Sequence, residues 1–371
     1  MRQVRLVSGL VLLTYVVLHL LNHALGLISL DAMEWGRRWF LAVWQSAAGT
    51  AVLYTALLAH FVLALSLIAR RHHFRMPAWE ALQTLLGLAI PLLLTGHIVG
   101  TRLAHDWHGV TDSYTRQILI YWHLRPAIGV GQVILLLLAW THGCMGVHFW
   151  LRFRGWYTRV VPFLCAIALL VPVLALLGFA VAGRQITALA TQPGWVEETL
   201  RGTGSTDAGP GGRLVAVGVA LVSSVGAATG VALLAPVWRR RRAAQKARIQ
   251  IRYTSGGEVV VPIGFTVLAA SRLAGIPHTS VCGGRGRCST CRIQVTEGME
   301  ELPAPSAEEA RVLARVGAAP DVRLACQLVP SSNIAVTLVV DPTSRIALAS
   351  ARSAAHLTHQ GRAAIEDKDS N

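Results

Sequence analysis

A chain of 371 residues that is 53% hydrophobic and only 14% charged, with a mean hydropathy of +0.49, is neither a disordered protein nor an ordinary water-soluble one, where roughly a quarter of residues are charged. Six cysteines over this length do not make the dense framework of a small secreted disulfide scaffold. The formal net charge of +15 is concentrated: residues 1–257 hold 23 Lys/Arg against 8 Asp/Glu, and residues 258–371 hold 11 of each.

The first region contains six segments without Asp, Glu, Lys or Arg: 6–30, 46–69, 81–101, 126–150, 160–183 and 214–238. About 20 apolar residues at 1.5 Å per residue cross a hydrocarbon layer, so each is a candidate transmembrane helix. The first lacks an A-x-A-like cleavage site and is expected to remain in the mature protein. With the N-terminus in the cytoplasm, the inner side receives Arg2, Arg5, Arg70, Arg71, Arg75, Arg152, Arg154, Arg159, Arg239 to Arg242, Lys246, Arg248 and Arg252 against the single acid Glu80. The outer side receives 8 basic and 7 acidic residues. This asymmetry predicts a multi-pass protein of the inner (cytoplasmic) membrane with both termini cytoplasmic. The Arg239 to Arg242 run reads as a topology anchor near anionic lipid, with no nucleic acid as partner.

Ten of the eleven tryptophans, Trp35, Trp39 and Trp44 among them, fall in loops or at span ends, and Trp140 falls well inside a span. Pro91 and Pro172 are expected to interrupt two helices, which membranes tolerate when neighbours satisfy the freed carbonyls. The outer segment 184–213, with Gly202-Thr203-Gly204-Ser205 and Gly209-Pro210-Gly211-Gly212, reads as a flexible loop.

Beyond Arg252 the pattern shortens. Residues 247–253 and 258–263 read as strands joined through Ser255-Gly256-Gly257. Residues 266–274 read as helix, 292–296 as strand, 307–316 as helix and 334–340 as strand. The expected organisation is a six-helix membrane domain (1–240), a basic linker (241–246), a small α+β domain (247–341) and a polar tail (342–371).

The small domain contains C-G-G-R-G-R-C-S-T-C at 282–291 and Arg323-Leu324-Ala325-Cys326-Gln327, a C-x5-C-x2-C pattern with a remote fourth cysteine. Four thiolates are what a two-iron cluster needs, and a glycine-rich loop lets the backbone fold around it with N–H groups aimed at sulfur. Zinc sites usually pair two C-x2-C units, and disulfides do not suit a cytoplasmic domain. The plant-type spacing is C-x4-C-x2-C; this sequence resembles the sister type with one extra residue, the adrenodoxin-like ferredoxins. That resemblance implies a β-grasp fold over about 247–341 and ligation of a 2Fe-2S cluster by Cys282, Cys288, Cys291 and Cys326. Arg285 and Arg287 either attract an acidic partner or offset the cluster's charge. Cys144 and Cys165 read as buried, inert thiols.

Within the spans, histidines are the readily ionisable groups: His19 and His23, His60, His97, and His142 with His148 near the inner end. One buried imidazole can simply hydrogen-bond across helices. A set confined to the first four spans points instead to ligands, because neutral imidazole is an axial ligand for haem iron. Counted from the cytoplasmic ends, His23 and His97 lie 17 and 16 residues up, and His60 and His142 lie 9 and 8. These matched depths predict two stacked b-type haem sites about 11 Å apart at helical rise. His19, one turn from His23, is a substitute ligand or its hydrogen-bonding partner. Arg102 is a candidate partner for haem propionates or lipid headgroups.

The stretches L-H-L-L-N-H-A-L-G-L (18–27), T-G-H-I-V-G-T-R (95–102) and T-H-G-C-M-G-V-H-F-W-L-R (141–152) resemble a hexahelical family similar to the cytochrome b anchors of succinate dehydrogenase and fumarate reductase. That family occurs fused to a ferredoxin domain in membrane-bound class III adenylate cyclases. Cyclases of that class carry a catalytic domain after the ferredoxin where this chain has residues 342–371, so no cyclase chemistry is assigned. Neither G-x-G-x-x-G nor G-x4-G-K-S/T occurs, so flavin, nicotinamide or nucleoside triphosphate would belong to a partner. The expected function is electron transfer or redox sensing between haem b and the 2Fe-2S cluster. Its expected partners are the lipid bilayer, a quinone, and a redox partner protein or cyclase. The alternatives are a receptor module for a cyclase output and a quinol-oxidising oxidoreductase subunit.

Overall fold

The computed structural model describes residues 1–71, 74, 76–152, 154–204, 211–243 and 247–340. Residues 244–246 of the expected linker, Ser205 to Pro210 of the outer segment and the tail 342–371 lie outside the described residues. The chain divides into two compact units, one formed by Met1–Arg70 and Ala78–Ala235, the other by Arg71–Pro77 and the residues from Pro236 onward.

The first unit is helical: α1 (Arg2–Ala24), α2 (Leu30–Trp44), α3 (Ala47–Ala69), α4 (Ala78–Ile98), α5 (Ala104–His108), α6 (Tyr114–Ile118), α7 (Pro126–Leu151), α8 (Tyr157–Leu189), α9 (Trp195–Gly202) and α10 (Gly212–Ala243). Six helical stretches are long and apolar enough to cross a membrane: Gln3–Leu27, Ala47–Ala69, Ala78–His108, Pro126–Leu151, Tyr157–Leu189 and Gly212–Arg239. Each contains all or most of a charge-free segment of the sequence. Side-chain caps mark several starts, with Ser29 accepting from Ala32 N–H at 3.0 Å and Ser46 from Gly49 N–H at 3.0 Å. Pro126 opens α7 at the position where a missing N–H costs nothing. Helix α1 packs most extensively on α3 and α8, and α4 packs on α7.

Three expectations change here. Trp35, Trp39 and Trp44 belong to a helix, α2, whose start is capped by Ser29 and whose Glu34 accepts from the backbone N–H of Tyr114 at 2.6 Å, fixing the start of α6. The outer segment is largely ordered, because α8 continues to Leu189 and α9 follows, with Glu197 and Glu198 in its first turn and Arg201 in its last, both favourable to the helix dipole. Pro91 and Pro172 lie inside continuous helices rather than interrupting them. The carbonyl that Pro172 leaves without a donor is that of Ala168, and Trp140 Nε1–H donates to it at 2.8 Å.

The second unit carries a five-stranded mixed sheet in the order β2-β1-β5-β3-β4. Strands β1 (Arg248–Tyr253) and β2 (Glu258–Pro262) form an antiparallel hairpin, turned by Gly256 and Gly257, whose φ of 90° and 105° suit glycine. Strand β5 (Ile334–Leu338) runs parallel to β1, and β3 (Arg292–Glu297) lies antiparallel to both β5 and β4 (Val322–Leu324). Helices α11 (Val267–Ala274) and α12 (Ala307–Arg315) cover a core of Ile249, Ile251, Val261, Leu268, Ile293, Leu324 and Val336. Strand β4 is the element that sequence periodicity missed. It has three residues, all buried, so no alternation exists to detect.

Candidate metal centres

The cysteine loop lies between α11 and β3. Gly283, Gly284 and Gly286 take φ of 73°, 88° and 63°, and Ser289 joins them at 57°. The loop therefore coils left-handed where L side chains are disfavoured. A Cβ on Gly286 would meet the Gln327 side chain at 3.1 Å, and one on Gly284 would meet Leu268 at 3.3 Å. Glycine thus serves both the turn and the close approach of the Cys326 segment. Ala325 N–H donates to the carbonyl of Cys291 at 3.0 Å, so the remote cysteine is pinned to the loop through the backbone.

The four thiols form two pairs. Cys282 with Cys288 and Cys291 with Cys326 each act on the other's protonation as neighbours. Cys282, Cys291 and Cys326 are buried, and Cys288 is half-buried. Sulfur receives donors from the protein: Cys282 N–H to Cys288 Sγ at 3.3 Å, Arg285 N–H to Cys282 Sγ at 3.3 Å, and Gln327 Nε2–H to Cys326 Sγ at 3.6 Å. The Cys288 thiol, aided by neighbouring backbone N–H groups, holds Cys282 well below the ordinary thiol range. Cys291 does the same for Cys326, while Cys288 and Cys291 themselves are held up. Thiolate is the metal-binding form. Among the described residues no three His, Cys, Asp or Glu side chains gather as a single-ion site. Four thiols in two neighbouring pairs, with N–H groups aimed at sulfur, suit a two-iron cluster better than a tetrahedral zinc ion.

Beneath the loop, Tyr253 OH and Ser271 Oγ share a hydrogen bond at 2.7 Å, and Ser271 Oγ meets His278 Nδ1 at 2.9 Å. This chain ties β1 and α11 to the segment leading into the loop. Burial pushes His278 down to about 4, so the ring is neutral at physiological pH.

In the helical unit the histidines form two groups, each reaching from the α1–α3 pair to the α4–α7 pair. His60 on α3 and His142 on α7 have ring centroids 6.3 Å apart and nearly perpendicular planes. His60 Nδ1 lies 3.2 Å from the carbonyl of Arg5, and His142 Nδ1 lies 3.1 Å from that of Gln83. A carbonyl only accepts, so each Nδ1 carries the proton and each Nε2 keeps its lone pair. Glycines make room for these rings: a Cβ on Gly9 would meet His60 Cε1 at 3.0 Å, and one on Gly87 would meet His142 Cε1 at 2.8 Å.

The second group holds three rings. His19 and His23 bring their Nε2 atoms to 3.3 Å, and the His19 ring lies 6.0 Å from that of His97. Tyr114 and Phe179 flank His23, while Tyr15 and Phe40 flank His19. The buried Nδ1 atoms of His19, His23 and His97 have no hydrogen-bond partner. His148 contacts Tyr157 OH at 2.8 Å, and Arg102 pairs with Asp106 at 2.8 Å. Cys144 is half-buried, and Cys165 is exposed rather than buried as expected. His72, His73, His356 and His359 lie outside the described residues. The sequence reading missed Gly9 and Gly87, whose only signal is that each lies on the helix facing a histidine.

Residues 253–331 match the family described as the 2Fe-2S iron-sulfur cluster binding domain, Fer2. Among solved structures, the chain is similar to the ISC-like 2Fe-2S ferredoxin FdxB from Pseudomonas putida, at 22% identity over 24% of this chain and 90% of that one, with a TM-score of 0.22. The C-terminal region is a 2Fe-2S ferredoxin domain, borne by a chain whose N-terminal part is helical and apolar.

Proposed function

We propose that this chain is a membrane electron-transfer or redox-sensing protein, in which haem b held by histidines of the helical unit exchanges electrons with the 2Fe-2S cluster of the ferredoxin domain. The observation that carries the reading is the pairing of ligands in both units: thiols two by two in the cysteine loop, and imidazoles facing one another between helix layers. The apolar outward faces, including Leu58, Leu85, Phe163, Leu169, Val231 and Leu234, all more than 60% exposed, support a lipid partner, since water-soluble proteins rarely present such surfaces. The basic excess on one side supports cytoplasmic termini and a cytoplasmic ferredoxin domain.

When bound, the cluster supplies a one-electron couple at its irons. Cys282 and Cys288 hold one iron, and Cys291 and Cys326 hold the other. The N–H groups of Arg285 and Cys282 and the Gln327 amide donate to the sulfurs, favouring the more negative, reduced state. His60 and His142 present lone pairs to one haem iron, their ring orientation fixed by the carbonyls of Arg5 and Gln83. A metal–imidazole bond of about 2 Å on each side is compatible with rings 6.3 Å apart. His97, with His19 and His23, serves the other haem.

The test is spectroscopic. Anaerobically purified full-length protein should give a reduced two-iron paramagnetic resonance signal with dithionite and a pyridine haemochrome corresponding to two haems per chain. Adding a quinol should reduce the haem bands first and the cluster signal afterwards. Cluster-replete protein devoid of haem would end the haem half of the reading; haem and cluster that fail to exchange electrons would end the joint function.

A further inference from the structure

The inner pair, His60 and His142, supplies two rings for two axial positions, but the outer group supplies three. We propose, resting on the haem reading above, that His19 and His23 are alternative ligands on the α1 side of the outer iron, opposite the single ring of His97 on α4.

Three observations carry this. His19 and His23 stand one turn apart on the same face of α1, and their Nε2 atoms converge to 3.3 Å, so both aim at nearly one point. The His19–His97 ring separation of 6.0 Å is close to the 6.3 Å of His60–His142, so His19 is placed as a ligand although His23 is the better match to His97 in depth. The third observation concerns freedom of rotation. Backbone carbonyls hold both inner rings through Nδ1, whereas Nδ1 of His19 and His23 has no partner although both are buried. Turning an outer ring gives up only the contact between the two Nε2 atoms and no bond to the backbone, which lowers the cost of moving between two packed arrangements. Aromatic neighbours receive the ring that is not ligating: Tyr15 and Phe40 for His19, Tyr114 and Phe179 for His23.

The exchange balances without an outside reagent. One Nε2–iron bond would break as the other forms, each ring would stay neutral, the ring that ligates carrying its proton on Nδ1, and no electron would move. The outer site thereby gains two ligand states of the same composition, and any condition that favours one shifts the population.

The experiment uses the full-length protein in detergent, purified anaerobically as wild type, His19→Gln, His23→Gln, the double variant and His97→Gln. Haem per chain is read by pyridine haemochrome and ligation by low-spin paramagnetic resonance, with the inner haem and the 2Fe-2S signal reporting folding. Each single variant should keep the wild-type haem content with shifted outer-site g values, and the double variant should lose half the haem, as His97→Gln does. A single variant that loses as much haem as the double shows one fixed ligand and overturns the exchange. A double variant that keeps both haems places the outer iron elsewhere and overturns it too. Wild type without haem would overturn the haem reading itself, a result distinct from either.

Discussion

Arg323 and Glu309 meet in a two-pronged contact inside the ferredoxin domain, Nε to Oε1 and Nη2 to Oε2 both at 3.0 Å, with each side chain at most 2% exposed. Glu309 Oε1 also accepts Leu324 N–H at 2.8 Å, and Arg323 Nη1 donates to the carbonyl of Pro303 at 2.8 Å. The pair thus joins α12 to β4 two residues before Cys326. Removing one partner strands a buried charge, which costs about 3–5 kcal/mol. Glu309→Gln should bleach the cluster absorbance at a clearly lower urea concentration than wild type; an unchanged midpoint would count against a structural role for the pair.

The cysteine assignment predicts a selective effect. Cys288→Ser should abolish the reduced-cluster resonance, because one iron loses half its thiolate ligands. Cys165→Ser, on the outward face of α8, should leave it intact. A Cys288→Ser protein with the wild-type signal, or a metal analysis that finds zinc alone, would refute the assignment.

Trp140 and Pro172 should be coupled. Trp140→Phe strands the Ala168 carbonyl, at about 1–3 kcal/mol for an unpaired buried group. In a Pro172→Ala background the new N–H at 172 can reach Ala168 within the helix, so the same change should cost much less. Thermal unfolding in detergent of the four proteins measures the coupling, and purely additive shifts would remove the carbonyl from the explanation.

Crowding at the inner histidine pair gives a fourth test. Gly87→Ala places a methyl group 2.8 Å from His142 Cε1, a distance at which the ring must shift. On the proposed haem reading, the variant should lose the inner haem and retain the outer one, roughly halving the haemochrome yield. Full haem content in Gly87→Ala would show that His142 does not need its present position.

How much of this was legible depended on the range of the interactions involved. The charge-free segments marked the apolar helices because length and lack of charge are local properties. The spacing of Cys282, Cys288 and Cys291 marked the cysteine loop for the same reason, since one stretch of backbone carries three of the four proposed ligands. Matched depth along the spans brought His60 toward His142, because helical rise converts sequence distance into height. Depth alone did not rank His19 against His23, since that depends on which way the α1 face turns and on the ring neighbours Tyr15, Phe40, Tyr114 and Phe179.

The sequence by itself determined the apolar helical region and the ferredoxin domain with its cysteine loop, which follow from composition and short-range spacing. Only the tertiary structure decided that the thiols sort into two pairs and that Arg5 and Gln83 orient the inner imidazoles. It alone showed Trp140 satisfying the carbonyl left open by Pro172 and three rings converging at the outer site. These are contacts between distant segments, set by how helices and strands pack, and no local pattern encodes them.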